Sequence, residues 1–243
     1  MVEFPYPQLT YTNVDLRPEG FWSRPRLGVP GARSRRVDPD SLPTRIQFGG
    51  PLATPLLVSD VQNDPDLVAF MRNAKASWQL VHSGVTFQTG SGDRELETGD
   101  VQLHLRGADA VAWSLLPELA STPIETAASF SFAPNLTLAG WGGSLGDAGK
   151  TATQQGQEPY LRADGLMGSD PAWRFKRTDM VTLDGTYRLV MVVRASVGAT
   201  ARLGVTLGGS VRPPFLLRKV KKAVQLRPAP GPTIELRFQQ GVD

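Results

Sequence analysis

Residues 186–194 read Thr-Tyr-Arg-Leu-Val-Met-Val-Val-Arg, and residues 201–212 read Ala-Arg-Leu-Gly-Val-Thr-Leu-Gly-Gly-Ser-Val-Arg. In the second run Ala201, Leu203, Val205, Leu207 and Val211 are apolar, while Arg202, Thr206, Ser210 and Arg212 fall between them. A two-residue period puts one set of side chains on one face, which marks a strand buried on one side. The first run holds five consecutive apolar residues, Leu189 to Val193. A strand needs such a run when both of its faces are covered. A Ser-Val-Gly turn joins the two, so Leu183 to Arg212 reads as the central hairpin of a β-sheet core.

The same period recurs on both sides of this pair. Trp78 and Leu80 share a face, and Val85 and Phe87 follow after a Ser-Gly turn. Val101, Leu103 and Leu105 alternate with Gln102, His104 and Arg106. Shorter strands are expected at Val111–Leu115, Ala128–Phe132, Leu136–Trp141 and Ala172–Lys176. A strand near Leu217–Leu226 precedes Pro228–Pro232, and Ile234, Leu236 and Phe238 alternate with Glu235 and Arg237 near the end. One helix interrupts the pattern. Asp64 suits its cap, Pro65 its first position and Asp66 its dipole, while Leu67, Phe70, Met71 and Ala74 give one apolar face. That face is expected to cover a sheet.

Up to residue 51 the chain carries Pro5, Pro7, Pro18, Pro25, Pro30, Pro39, Pro43 and Pro51. Proline fixes φ and donates no hydrogen bond, so neither a helix nor a central strand is expected there. Phe4, Tyr6, Tyr11, Phe21 and Trp22 are too many aromatics for a solvated tail. The expected fold is therefore mainly β: an antiparallel β-sandwich, or a barrel-like relative, with one helix near 65–75 and an extended proline-rich N-terminal arm. The arm spans 1–51 and lies on the fold or on another subunit. Residues 52–243 form a single β-rich domain with a long Gly-rich loop at 142–169.

Composition narrows the function classes. The 243 residues are 40% apolar and 20% charged, as in an ordinary globular chain, with 25 Gly and 20 Pro spread among many turns. The absence of cysteine excludes disulfides, thiolate metal sites and cysteine nucleophiles together, and it fits a cytoplasmic protein. No apolar run reaches membrane-spanning length, and the opening Met-Val-Glu-Phe-Pro-Tyr-Pro lacks the features of a secretory signal. The net charge is +3, and arginine far outnumbers lysine, a usage common in GC-rich bacterial genomes.

Candidate chemistry is sparse. Gly142-Gly143-Ser144-Leu145-Gly146 fits the G-x-S-x-G elbow of serine hydrolases, but the residues after it make a poor helix. Both histidines, His82 and His104, precede Ser144, the reverse of the order that elbow uses. Gly149-Lys150-Thr151 ends a near-match to a phosphate loop whose first glycine is replaced by Ser144. His82 and His104 with Asp93, Glu95, Glu97 or Asp100 lack metal-ligand spacing, and read as surface histidines beside a solvated acidic loop. Asn135-Leu136-Thr137 matches a glycosylation acceptor, without meaning where no secretory signal is expected. No catalytic, metal or cofactor residue is assigned, and no cofactor is expected.

Charge is concentrated in two places. Arg24, Arg26, Arg33, Arg35 and Arg36 make the middle of the arm basic beside Phe21 and Trp22. Arg212, Arg218, Lys219, Lys221, Lys222 and Arg227 have no acidic residue among them. Lysines on an edge strand block edge-to-edge aggregation, and such clusters also meet acidic partners or phosphates. The reading that follows is a non-enzymatic β-rich interaction or assembly protein, a subunit of a larger bacterial or phage-like complex. Its expected partners are other protein subunits, in an oligomer or hetero-complex. A nucleic-acid or anionic-surface binder using 24–36 and 212–227 is the alternative, and a hydrolase at Ser144 the remote third.

Overall fold

Alternation along the long strands sorts the chain into two antiparallel sheets packed face to face, a β-sandwich. The computed structural model describes residues 2–18, 45–88, 96–107, 109–121, 129–132, 158–212 and 223–239. In chain order its strands begin with β1 (Val2–Pro5), β2 (Tyr11–Asp15), β3 (Arg17–Pro18), β4 (Arg45–Pro55), β5 (Ala76–Gln88), β6 (Leu96–Arg106) and β7 (Val111–Leu116). They continue with β8 (Leu119–Ala120), β9 (Ser129–Phe132), β10 (Leu161–Asp164), β11 (Ala172–Lys176), β12 (Gly185–Ser196), β13 (Thr200–Val211) and β14 (Val224–Arg237). The α-helix α1 is Pro65–Asn73, capped by the Asp64 carboxylate, which accepts from the Leu67 amide at 3.2 Å.

Five strands form one sheet in the order β2-β4-β5-β12-β7, and seven form the other in the order β3-β14-β13-β6-β11-β10-β8. β1 and β9 pair with each other. Between the large sheets lies the main core. Phe48, Val85, Phe87, Leu189, Met191 and Val193 enter it from one side, and Leu103, Trp173, Phe175, Leu203, Val205 and Leu236 from the other. The Phe87 and Phe175 rings meet edge to face with centroids 5.0 Å apart.

The expected hairpin at Leu183–Arg212 is corrected here. β12 and β13 follow each other in sequence, yet β12 lies between β5 and β7 while β13 lies between β14 and β6. The turn at Val197–Ala199 crosses from one sheet to the other. The double apolar character of β12 has the anticipated cause. Leu189, Met191 and Val193 face the sandwich interior, while Val190 and Val192 face outward beneath a second layer. That layer is Leu67 and Met71 of α1 with Leu56 and Val61, joined by Trp78 and Leu80 of β5.

The Pro-rich arm also differs from expectation at its end. Arg45–Pro55, with Pro51 inside it, is an interior strand hydrogen-bonded to β2 and β5, and its register shifts between Gly49 and Leu52, around that proline. Ser83-Gly84 is not a turn but the middle of the continuous β5. Val224–Arg237 is one strand through Pro228, Pro230 and Pro232, held on one side by β13 and by β3 only at Leu226 and Arg227. Proline is tolerated there because most of the outer ladder is not required. Of the loop expected at 142–169, Leu161–Asp164 is a strand paired with β11 and β8. Likewise the acidic loop begins β6 by Leu96, so Glu97 and Asp100 are strand residues.

Within the described arm, the aromatics lie on the protein's own fold. Phe4 and Tyr6 pack against the layer over the five-stranded sheet. Arg188 stands 4.8 Å over the Tyr6 ring, and burial pushes the Tyr6 and Tyr11 hydroxyls toward the neutral form. Tyr11 covers the paired glycines Gly49 and Gly84. A Cβ on Gly84 would stand 2.3 Å from the Tyr11 hydroxyl, so only glycine leaves the ring its seat. Gly84→Ala is expected to cost about 1–3 kcal/mol by urea unfolding. In a Tyr11→Ala background most of that cost should disappear. An equal cost in both backgrounds would refute the seat.

Candidate functional site

The two sheets treat their outer faces differently. The five-stranded sheet is roofed by α1 and the arm, whereas no second apolar layer forms on the seven-stranded sheet among the described residues. On β6 and β13 the odd-numbered Val101, Leu103, Leu105, Leu203, Val205 and Leu207 point into the core. The even-numbered Asp100, Gln102, His104, Arg106, Arg202, Thr206 and Ser210 therefore share the outer face. The register sets His104 opposite Gly204, Gln102 opposite Thr206, Asp100 opposite Gly208 and Thr98 opposite Ser210.

Two features stand out on this face. The first is a relay in which the Thr206 hydroxyl lies 3.0 Å from His104 Nε2, and His104 Nδ1 lies 2.8 Å from the Asp170 carboxylate. Asp170 also accepts from the two terminal guanidinium nitrogens of Arg106, at 3.1 and 2.6 Å, and from the Ser169 hydroxyl at 3.0 Å. The Arg106 bonds, then that of His104, hold the Asp170 carboxyl well below the usual carboxylate range. A hydroxyl, an imidazole and a carboxylate in this order can activate a nucleophile. Here Thr206 sits mid-strand in β13 between β14 and β6, beside register shifts against β14 at Gly204/Thr206 and Leu207/Gly209.

The relay also ties the turn at 165–170 to β6. Ser169 and Pro171 carbonyls accept from the Leu105 and Leu103 amides of β6. On the other side the Gly168 carbonyl accepts from Ala112 of β7, whose carbonyl accepts from Met167. This turn stitches the edge of one sheet to the other.

The second feature is a cleft of about 140 Å³ on the same face, toward the end where β13 leads into β14. Its polar walls are Asp100, Gln102, Thr206 and Gln225, with Leu226 and Pro228 on one side and the backbone of Gly208 and Gly209 between. The Asp100 carboxylate makes no hydrogen bond or ion pair with any described residue. Burial pushes its pKa up, and the attraction of Arg174 opposes this in part. The Arg174 guanidinium is itself bonded to Asp164 at 3.2 Å.

Glycine at the outward positions 204 and 208 has no packing cause. A Cβ would meet only Thr233 Oγ1 at 3.8 Å or Asp100 at 3.9 Å, which is ordinary contact. Gly209 differs, because a Cβ there would stand 2.5 Å from the Thr98 carbonyl. Gly204→Ala is therefore expected to raise stability by about 0.4–1 kcal/mol, read as a higher urea midpoint. A comparable loss would show that the space is not free. Gly204 and Gly208 both lie where the register of β13 against β14 shifts, and strand glycines mark such bulges as well as places where another molecule approaches the backbone.

The residues singled out from sequence as interaction candidates, Phe21, Trp22, Arg24, Arg26, Arg33, Arg35, Arg36, Arg218, Lys219, Lys221 and Lys222, lie outside the described residues, as do Ser144 and the glycines around it. The flanks of the two basic segments are nonetheless neighbours. Pro18 pairs with Leu226, and Val211 pairs with Val224, at one end of the seven-stranded sheet. Arg212 itself is 3.7 Å from Glu97. The two histidines do not share a site. His104 is on this outer face, whereas His82 belongs to the five-stranded sheet, 3% exposed and edge-on to Tyr6 at 5.8 Å. The expectation of a surface His82 is thus corrected. Sequence reading missed the cleft: the alternation put Gln102 on the outer face, but Asp100 was read as the end of the acidic loop.

No family model and no curated protein matches the chain. Among solved structures it is similar to Clostridium perfringens delta-toxin at 8% identity, over 79% of this chain and 88% of that chain, with a TM-score of 0.24. At that TM-score the likeness supports neither a fold family nor a function.

Proposed function

We propose that the chain is a non-enzymatic interaction protein, a subunit of a larger protein assembly built in the cytoplasm, which presents the outer face of the seven-stranded sheet to a partner. The observation that carries this reading is the asymmetry of the two sheets. One outer face is closed by the chain's own helix and aromatic arm. The other presents a polar cleft lined by Gly208, with Gly204 four residues before it on the same strand, and an added Cβ at either would meet only ordinary contacts. Its charged side chains are largely paired with each other, as Arg106 is with Asp170 and Lys176 with Glu158. Such pairing leaves a hydrated, patterned surface of the kind found in polar interfaces.

Light scattering after size-exclusion chromatography tests the reading, using the full chain and a Gly204→Arg variant that keeps the fold but fills the face. The expected result is a full chain that forms an oligomer, or a complex with its co-purified subunit, and a variant that loses it. A full chain that is monomeric and partnerless, or an assembly indifferent to Gly204→Arg, overturns the proposal.

A second reading rests on the pairing of Pro18 with Leu226 and Val211 with Val224, which starts both basic segments from one sheet end. That placement favours an anionic surface such as nucleic acid. It requires binding that weakens steeply with salt. Undiminished binding after neutralising Arg218, Lys219, Lys221 and Lys222 would exclude it.

A further inference from the structure

We propose that the cleft between β6, β13 and β14 is a receptor for an arginine or lysine side chain of a partner protein, whose cationic head is taken by Asp100. This deepens the interaction reading above and rests on it for the identity of the partner.

The chemistry of the lining selects the ligand. Every side-chain group that can bond a head group there can act as an acceptor: the Asp100 carboxylate, the amide oxygens of Gln102 and Gln225 and the Thr206 hydroxyl. An anion would meet the carboxylate head-on, and a neutral apolar group would leave it desolvated without compensation. A cation restores what burial removes. Of the remaining wall, the Leu226 side chain is buried in the core, and Pro228 supplies the apolar surface. Long basic side chains match such a site, because they lay an aliphatic stem along apolar surface and carry the charge at the tip. The volume of about 140 Å³ accommodates one such side chain rather than a folded segment.

Among the described residues, the cations nearest the carboxylate are engaged elsewhere. The cation facing it across the strand pair, Arg174, is held by Asp164, which also accepts from Arg162 at 2.8 Å. Arg106, on the same strand, is held by Asp170. Gly208, opposite Asp100 in register, brings no side chain into the cleft. Arginine is the better fit of the two cations, since its planar fork bonds a carboxylate through two parallel contacts and is the more weakly hydrated.

The test is a titration of the full chain, followed by amide NMR shifts, with Nα-acetyl-arginine amide as the probe and the uncharged Nα-acetyl-citrulline amide as its control. The expected result is saturable shifts at Asp100, Gln102, Thr206 and Gln225, with a Kd on the order of 1 mM. Asp100→Asn should weaken binding about tenfold, as should the change from arginine to citrulline. Gly208→Arg, which fills the cleft from within, should abolish it. Absence of shifts at these residues, or equal affinity for the citrulline probe, overturns the proposal. The two readings fail separately. If assembly is lost in Gly204→Arg but the arginine probe does not bind, the interaction face stands and the cation receptor falls. If the probe binds and assembly is indifferent, the receptor stands and the face is not the assembly surface.

Discussion

Replacing Trp173 with alanine is expected to destabilise the fold by about 3–5 kcal/mol. Trp173 is fully buried in the main core, on β11 between β6 and β10. It is among the largest side chains with no exposed surface, and its indole N–H donates to the Pro117 carbonyl at 3.1 Å. Alanine removes the ring from a space bounded by strands on both sides, which cannot collapse without breaking ladders. The loss thus includes the transfer free energy and a cavity. Against a typical total of about 5–15 kcal/mol, this brings the variant near the edge of folding. Thermal unfolding followed by circular dichroism should show a drop on the order of 10 °C. Trp173→Phe keeps most of the volume and strands the Pro117 carbonyl, so its cost should be about 1–3 kcal/mol. A loss under about 1 kcal/mol for Trp173→Ala would mean that the two sheets do not close over this residue.

Acid is expected to remove about 3 kcal/mol of stability through one residue, His82. Burial beneath Tyr6 and the arm pushes its pKa down to about 4. In the unfolded chain the imidazole titrates near its ordinary value of about 6.5. Between these values the unfolded state binds a proton that the folded state refuses, so stability rises with pH across this window. The contribution is whole above about 6.5, falls as pH drops and is fully lost below 4. Urea unfolding at several pH values from 7.5 to 4.5 measures this slope. In His82→Gln the slope should flatten by up to one proton, whatever the variant's overall stability. Equal slopes in the two proteins would show that His82 is hydrated or charged in the fold. Carboxylates that titrate near 4 affect both proteins alike and cancel in the comparison.

The candidate site was half legible. Alternation in Val101–Arg106 placed Gln102 and His104 on an outer face, and both are there. The same pattern said nothing of Asp170, which reaches His104 from a turn 66 residues away. Asp100 appeared only as part of a supposed acidic loop, because Gly99 interrupts the apolar alternation at that point. Gly99 is a strand glycine under the Phe87 ring, whose atoms would lie 2.7 Å from an added Cβ. A close approach across the sandwich cannot be seen in a single strand's pattern. His82 was read as exposed for a similar reason. Its polarity suggested water, and only the arm folded over β5 excludes it.

By itself the sequence determined the class and the layers. The two-residue period of Ala201–Val211 required a strand with one wet face, and the apolar run Leu189–Val193 required cover on both sides. Asp64, Pro65 and the spacing of Leu67 and Met71 specified the helix that supplies one of those covers. Only the tertiary structure decided which strands are neighbours. Alternation says which face of a strand is buried, but it is equally satisfied by pairing β12 with β13 or by crossing between sheets. The crossing is the arrangement found, and β12 instead pairs in long register with β5 and with β7. Such ladders join residues about a hundred positions apart, so the choice between them lies in long-range packing that no local pattern records.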